Sequence, residues 1–307
     1  MNYVVTGAAG FIGSHLAEAL LSAGHDVVGL DSFTDFYDPA IKEQNARGID
    51  VHRLDLVEDS LDFSGLAGVF HVAGQGGRSS FGDDFALHLQ RNVLASQRVF
   101  EAAARARVRV VFASSSSVYG AAERYPTPEE TIPAPLSPYG VSKLAAEHLA
   151  WAYERALDLD AVVLRYFNVF GPRQRPDMAF TRIAVALSRG QPFDLYGDGT
   201  QTRGWTYVSD VVEATIAAME SGRGTYNVGG AVEVSLRDAI GLLERLAGRS
   251  LAVREHAAAP GDMVRTNADT SRIRTELGWE PRVALEDGLR AQWDWASENA
   301  ARLAATM

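Results

Sequence analysis

Cysteine is absent from the 307 residues of this chain. Its absence excludes disulfide bonds, thiolate nucleophiles, and zinc or iron–sulfur sites with cysteine ligands. The seven histidines form no HExxH pair and no other close ligand spacing, so we expect no metal site.

Positive charge is also scarce, because 29 Lys and Arg residues stand against 39 Asp and Glu residues, for a net charge of −10. This balance argues against nucleic acid or an anionic membrane as the main partner. No uncharged apolar run is long enough to cross a bilayer. The apolar N-terminal segment carries regularly spaced glycines and Glu18, which a signal peptide would not. We therefore expect a cytoplasmic protein.

The first half alternates strand-length apolar runs, such as NYVVTG, DVVGLD and VRVVFASS, with helical patterns. Runs such as VRVVFA are apolar throughout, which is typical of parallel strands covered on both faces. The pattern predicts an α/β fold with a doubly wound parallel sheet over residues 1–170, in which AVVLRYFNVFG forms one strand.

The pattern loosens over residues 171–307, where helical segments alternate with short strands near turn signals. This half predicts a smaller α/β lobe, interleaved with returns to the main sheet around residues 204–230.

Three glycines, Gly7, Gly10 and Gly13, lie between the first strand and the first helix in TGAAGFIG. Glycine lets the backbone turn sharply and approach a pyrophosphate at the helix N-terminus. Asp31 ends the second strand, where it would accept hydrogen bonds from the adenosine ribose and favour NAD over NADP. Asp55 suits contact with the adenine amino group. The constellation predicts a Rossmann-like dinucleotide site, although Asp31 alone could be a turn residue and Asp55 a strand cap.

Tyr139 and Lys143 in SPYGVSK stand four residues apart, so they share one face of a helix. A tyrosine with an ordinary pKa of about 10 needs help to act as a base near neutral pH. The lysine one turn away and an oxidised nicotinamide would both favour the phenolate. An isolated YxxxK is more often a core tyrosine beside a surface lysine, but here a serine-bearing strand and a dinucleotide fingerprint accompany it.

Five segments, in order and spacing, resemble the extended short-chain dehydrogenase/reductase family of nucleotide-sugar epimerases, dehydratases and decarboxylases: TGAAGFIG, ASSSSVYG, SPYGVSK, LRYFNVFGP and TRGWTYVSD. The resemblance covers nearly the whole chain. It implies NAD as a recycled cofactor and a UDP-sugar bound under the C-terminal lobe. It also implies a homodimer formed through the helix of Asn92 and the helix of Tyr139.

The resemblance assigns Ser115, Tyr139 and Lys143 to catalysis. Ser115 would bridge Tyr139 and the sugar 4-hydroxyl, Tyr139 would remove the 4-hydroxyl proton as hydride leaves C4, and Lys143 would also anchor the nicotinamide ribose. Besides the glycines, Asp31, Asp55, Tyr139 and Lys143, the implied NAD contacts are Phe11, Ile12, Leu56, Ala73 and Asn92.

The serines after Ser115 bear on the fate of the 4-keto sugar. The 4,6-dehydratases carry Asp-Glu at the positions of Ser116 and Ser117, so dehydration is not expected here. UDP-glucuronate decarboxylases usually carry Glu at the position of Ser117. Hydride return to the opposite face, which is 4-epimerisation, is the remaining fate.

The segments LDSFTDFYDPAIKEQN and GPRQRPDMAF resemble those of uronate epimerases, in which the arginine at the position of Arg175 faces the sugar carboxylate and these serines help to bind it. Forked, charge-assisted contacts suit a guanidinium and a carboxylate. An ordinary solvated arginine is the alternative for Arg175. Asn168 would bind the sugar nucleotide, and Arg203 and Arg265 the pyrophosphate.

The chain departs from its relatives at Ala259, where UDP-glucose epimerases often have arginine. It also departs at Gly74 and Gly76, which replace alanines of the uronate epimerases. The predicted function is a UDP-sugar 4-epimerase acting on UDP-glucuronate and UDP-galacturonate. The alternatives are a UDP-glucuronate decarboxylase that yields UDP-4-keto-pentose or UDP-xylose, a UDP-glucose 4-epimerase, and a non-catalytic NAD-sensing protein.

Overall fold

The computed structural model describes residues 1–76, 81–82, 84–230, 232–258 and 263–306. Its strands are β1 (Asn2–Thr6), β2 (Asp26–Asp31), β3 (Asp50–Arg53), β4 (Gly68–His71), β5 (Val110–Ser115), β6 (Ala161–Tyr166), β7 (Val169–Phe170), β8 (Phe193–Tyr196), β9 (Thr202–Gly204), β10 (Thr206–Tyr207), β11 (Gly224–Val228), β12 (Glu233–Ser235), β13 (Val253–His256) and β14 (Arg265–Thr266). Its helices are α1 (Phe11–Ser22), α2 (Pro39–Asn45), α3 (Asp84–His88), α4 (Ala95–Ala106), α5 (Pro138–Leu157), α6 (Ala179–Arg189), α7 (Val208–Ser221), α8 (Leu236–Ala247), α9 (Ser271–Leu277), α10 (Leu285–Glu298) and α11 (Ala300–Ala304). A π-helical segment, Leu89–Leu94, joins α3 to α4.

Seven parallel strands form the main sheet in the order β11-β6-β5-β4-β1-β2-β3. This arrangement confirms the predicted doubly wound, Rossmann-like α/β fold. The strand order reverses between β1 and β4, and a crevice at such a reversal, beyond the carboxyl ends of the strands, is where this fold binds ligands.

Both faces of the main sheet are covered by helices. Val5 and its neighbours pack against α1 and α7 on one face, whereas Val4 and its neighbours pack against α4 and α5 on the other. Double coverage explains why the strands are apolar throughout, since successive side chains point to opposite faces and both faces are buried.

The second half contributes the smaller sheets β12-β9-β14 and β8-β13 and an apolar cluster among α6, α8 and α10. The segment around residues 204–230 contains α7 and β11, which return to the main sheet. The division into 1–170 and 171–307 stays a prediction. Within the described ranges, no helix is both long enough and apolar enough to cross a membrane.

The single strand predicted for AVVLRYFNVFG is two strands, β6 and β7. Asn168 lies between them with a φ of +40°, in the left-handed region that an extended strand cannot accommodate. The chain therefore turns, and β7 pairs with β10 instead of continuing beside β5.

Candidate active site

The glycine loop between β1 and α1 is packed too tightly for side chains at two of its positions. A Cβ on Gly7 would lie 2.8 Å from Cα of Ala73, and one on Gly13 would lie 2.1 Å from the carbonyl oxygen of Gly7. Gly7 also has a φ of +71°. The loop thus presents bare backbone at the N-terminus of α1, which fits the pyrophosphate of a dinucleotide.

A cleft opens beside this loop and fits the predicted NAD site. Among the predicted contacts, its wall contains Gly7, Gly10, Phe11, Ile12, Gly13, Asp31, Leu56 and Ala73. The wall also contains side chains that the sequence analysis did not assign: Phe36, Tyr37, Lys42 and Arg91.

Asp31 lines the cleft and is buried at the end of β2. Its carboxylate accepts hydrogen bonds from the amides of Ala9 at 3.2 Å and Phe33 at 2.8 Å. Lys42, on α2, lies 3.8 Å from the same carboxylate. Burial lowers the pKa of Lys42, while Asp31 opposes this shift. The helix sequence PAIKEQN is mostly polar, so it carried no signal that Lys42 would be buried.

Asp55 pairs with Arg91 at 2.5 Å and accepts a hydrogen bond from the amide of Val57 at 2.9 Å. Burial raises the pKa of Asp55, whereas the hydrogen bonds from Arg91 and from backbone amides lower it. The hydrogen bonds together have the larger effect, so the pKa of Asp55 lies below its ordinary value. In this arrangement Arg91 and Leu56 line the cleft, whereas Asp55 lies behind them. Contact between Asp55 and adenine stays a prediction.

Asn92 lies in the π-helical segment, a helical irregularity often found at functional sites. Its amide exchanges two hydrogen bonds with the backbone of Gln75, at 2.7 and 3.0 Å, and donates a third to Ser142 on α5 at 2.9 Å. Asn92 therefore fixes the loop after β4 against the helix that carries the predicted catalytic pair.

Tyr139 and Ser115 are brought together by the start of α5 and the end of β5. Their hydroxyls are hydrogen-bonded, and the ring of His88 contacts that of Tyr139 with 5.9 Å between centroids. Burial raises the pKa of Tyr139, whereas the hydrogen bond with Ser115 and the charge of Arg175 lower it. Ionisation of the phenol therefore depends on these neighbours, and the role of Tyr139 as a base stays a prediction.

Lys143 lies one turn further along α5. Its ammonium donates to the carbonyl of Ala113 at 2.9 Å and lies 5.1 Å from the ring centroid of Phe112. Burial lowers the pKa of Lys143 to about 8, and the opposing effect of Glu147 is smaller. The ammonium of Lys143 faces the end of β5. The groups that lower the pKa of Tyr139 are instead Ser115 and Arg175.

Glu147, another turn along α5, is fully buried and pairs with Arg165 of β6 at 2.7 Å. It also accepts a hydrogen bond from the Ser114 hydroxyl at 2.5 Å. The sequence analysis did not identify this pair. It ties α5 to β5 and β6 directly behind the predicted catalytic residues.

The remaining serines of the run differ in their surroundings. Ser117 donates its amide to the hydroxyl of Ser115 at 3.1 Å, and the two hydroxyls are also 3.1 Å apart. Ser116 is buried. Because neither position carries a carboxylate, a substrate carboxylate would meet no like charge here.

The side chain of Arg175 is 28% exposed, and its contact with a sugar carboxylate stays a prediction. Its guanidinium forms a two-pronged ion pair with Asp177, with Nε–Oδ1 and Nη2–Oδ2 distances of 2.9 and 3.0 Å. It lies 5.6 Å from the ring centroid of Phe36 and lines the cleft beside Gly74 and Gly76.

Arg173 attaches the loop, which also carries Arg175, to α1. It donates to Ser14 at 3.2 Å and to Glu18 at 2.8 Å. Gln174, the next residue, is buried and bonded to Gln292 of α10 at 2.7 Å. The loop is therefore attached to both halves of the molecule.

Asn168, Arg203 and Arg265 gather at the sheet β12-β9-β14 rather than at the cofactor cleft. Asn168 donates to Thr266 at 2.8 Å, and Arg203 pairs in register with Thr266. Arg265 forms a two-pronged pair with Glu233, both contacts at 2.7 Å. Their contacts with a sugar nucleotide stay predictions. The departure at Ala259 lies outside the described residues.

Comparison with known proteins places this geometry among NAD-dependent enzymes. The sequence model of the NAD dependent epimerase/dehydratase family matches residues 3–229. The chain is 38% identical over 303 residues to an uncharacterized UDP-glucose epimerase, YtcB, of Bacillus subtilis (strain 168), covering 94% of this chain and 96% of that one. It is 34% identical over 313 residues to the UDP-glucuronate 4-epimerase of Thermodesulfobacterium geofontis (strain OPF15), covering 97% and 96%.

A solved structure is similarly close. The crystal structure of the UDP-glucuronic acid 4-epimerase from Bacillus cereus, in complex with UDP-glucuronic acid and NAD, superposes with a TM-score of 0.93 and 38% identity, covering 97% of this chain and 99% of that one.

Proposed function

Because this chain belongs to the NAD-dependent epimerase/dehydratase family and is an NAD-dependent nucleotide-sugar epimerase, we propose that it interconverts UDP-glucuronate and UDP-galacturonate. The observation that carries the proposal is Arg175, whose guanidinium lies at the wall of the cleft within electrostatic range of Tyr139. A guanidinium there suits a sugar carboxylate next to the reacting C4. The Thermodesulfobacterium and Bacillus cereus enzymes, both UDP-glucuronate 4-epimerases, support it.

In this proposal Tyr139 takes the proton from the 4-hydroxyl of the sugar, and Ser115 orients that hydroxyl through its own hydrogen bond to Tyr139. The cleft beside the glycine loop would hold NAD, which would supply the hydride chemistry at C4. Lys143 adds a buried positive charge at the end of β5, where Gly74 leaves space beside its ammonium.

The serine run supports inversion at C4 over elimination of water. Dehydration across C5 and C6 requires an acid and a base beside the catalytic hydroxyl, and Ser116 and Ser117 supply neither. The ketone is then free to turn over in the pocket and receive hydride on its opposite face.

Product analysis tests the proposal. Purified protein incubated with UDP-glucuronate and NAD is expected to yield an isobaric sugar nucleotide with an inverted C4 proton signal by NMR. Loss of CO2, detected by mass spectrometry, would instead establish the decarboxylase.

A UDP-glucose 4-epimerase is the second candidate, because Asp177 already neutralises Arg175 and a neutral sugar would leave that pair intact. The Bacillus subtilis relative is described as a UDP-glucose epimerase. Turnover of UDP-glucose without turnover of UDP-glucuronate would favour this candidate.

We also propose a homodimer through α4, α5 and the π-helical segment. Its support is the exposure of apolar side chains on the π-helical segment and α5: Leu89, Leu94 and Val141 are 43%, 44% and 44% exposed. Large apolar side chains exposed together on neighbouring helices are typical of an interface.

A further inference from the structure

The guanidinium of Arg175 lies directly on Gly76. A Cβ at position 76 would be 2.7 Å from Nη1, 2.8 Å from Nη2 and 2.9 Å from Cζ. Real side chains do not tolerate such distances, so this position of the guanidinium exists only because residue 76 is glycine.

Two other groups hold the guanidinium in the same place. Asp177 engages Nε and Nη2, and the ring of Phe36 lies 5.6 Å from Cζ. Asp177 uses two of the five N–H donors of the guanidinium and compensates its charge. We call this the withdrawn position of Arg175, and in it Asp177 compensates the charge of the guanidinium.

We propose that Gly76 is a substrate-specificity residue, because the withdrawn position that it gives Arg175 lets the pocket accept a neutral hydroxymethyl group at C6 as well as a carboxylate. This inference rests on the proposed UDP-sugar substrate. A carboxylate would draw the arginine forward, whereas a neutral group would leave it against Gly76 and Asp177, where its charge stays compensated.

The same loop provides a matched control at Gly74. A Cβ there would be 3.0 Å from Nζ of Lys143 and 3.1 Å from Oδ1 of Asn92, and Arg175 is not among its nearest atoms. Neither Gly74 nor Gly76 has a positive φ, so alanine fits the backbone at both positions. The atoms that a Gly76→Ala side chain would displace belong to the flexible end of Arg175, so the fold is expected to persist.

Calorimetric titration of the NAD-loaded protein with UDP-glucuronate and with UDP-glucose tests the inference. The wild type is expected to bind both within about ten-fold of each other, a difference of about 1.4 kcal/mol. We expect the Cβ of Gly76→Ala to displace the guanidinium from residue 76. We expect this displacement to raise the preference for UDP-glucuronate by about ten-fold. Asp177→Asn, which removes the competing carboxylate, is expected to shift the preference in the same direction.

Gly74→Ala is expected to lower kcat for both sugars and leave the ratio of their Kd values unchanged. An unchanged or reduced preference for UDP-glucuronate in Gly76→Ala would overturn the inference. Failure of the proposed function would give a different result, in which the wild type binds both sugars and converts neither at C4. The ratio of Kd values would still decide the role of Gly76 in that case.

Discussion

At the scale of single residues, the site contains a half-buried phenol, that of Tyr139. Ser115 and Arg175 lower the pKa of Tyr139 against the effect of burial. If Tyr139 is the base, as proposed, removal of its hydroxyl should cause a large loss of turnover.

Tyr139→Phe is expected to lower kcat by about 10²- to 10⁴-fold, the usual contribution of general base catalysis. Binding of the UDP-sugar should change little, because only one hydroxyl is lost. Steady-state kinetics and calorimetric titration would measure the two effects. Tyr153→Phe on the same helix is the matched control, because its hydroxyl bonds Glu101 and Gln97 and is expected to be dispensable for turnover. Full activity of Tyr139→Phe would refute the assignment.

Lys143 makes the stability of the protein depend on pH. Its pKa falls from 10.5 in the unfolded chain to about 8 in the fold. Between these values the unfolded chain binds more protons, so stability rises with pH through this window, by on the order of 3 kcal/mol at most. Urea denaturation at several pH values between 7 and 10.5 would measure it. Lys143→Met should lack this rise, and an identical pH dependence in the variant would contradict the buried charge.

At the scale of secondary-structure elements, α5 is fastened to β5 and β6 by one buried ion pair. Glu147 and Arg165 are 0% and 3% exposed, and Ser114 completes the carboxylate's hydrogen bonds. Breaking a buried pair leaves an uncompensated charge, which costs more than the pair contributed.

Glu147→Gln is expected to destabilise the protein by about 3–5 kcal/mol, because Arg165 would remain charged and buried. Chemical denaturation measures the change. The double variant Glu147→Gln, Arg165→Met is expected to recover much of this loss, because it removes the unpaired charge. No recovery in the double variant would indicate that packing, not charge, dominates at this position.

The sequence was informative where an element is determined by neighbouring residues. The apolar runs predicted the parallel sheet, and the glycine loop and Asp31, which were recognised from their spacing, line the cleft. It was silent where partners lie far apart along the chain. Arg91 binds Asp55 from 36 residues away, and Glu233 binds Arg265 from 32 residues away. Periodicity carries no information about such pairs, nor about the left-handed residue that divides β6 from β7.

At the scale of the whole molecule, the exposed apolar side chains of α5 and the π-helical segment are expected to be covered in solution. Val141→Glu would place a charge in the proposed interface and is expected to convert a dimer to a monomer, as measured by light scattering after gel filtration. Val253 begins β13, elsewhere on the surface, and is 39% exposed. Val253→Glu is therefore the matched control. A monomeric wild type would contradict the proposed dimer.

The attachment of the Arg175 loop by Arg173 has a thermodynamic consequence. Arg173 and Gln174 are bonded to α1 and α10 through contacts within the protein. Ordering a free loop costs about 1–2 kcal/mol per residue in conformational entropy. If this loop binds the sugar nucleotide, as proposed, that loss occurs during folding and the substrate loses little affinity to ordering it. In the proposed function, α1 would therefore both receive the cofactor and limit the entropy lost on substrate binding.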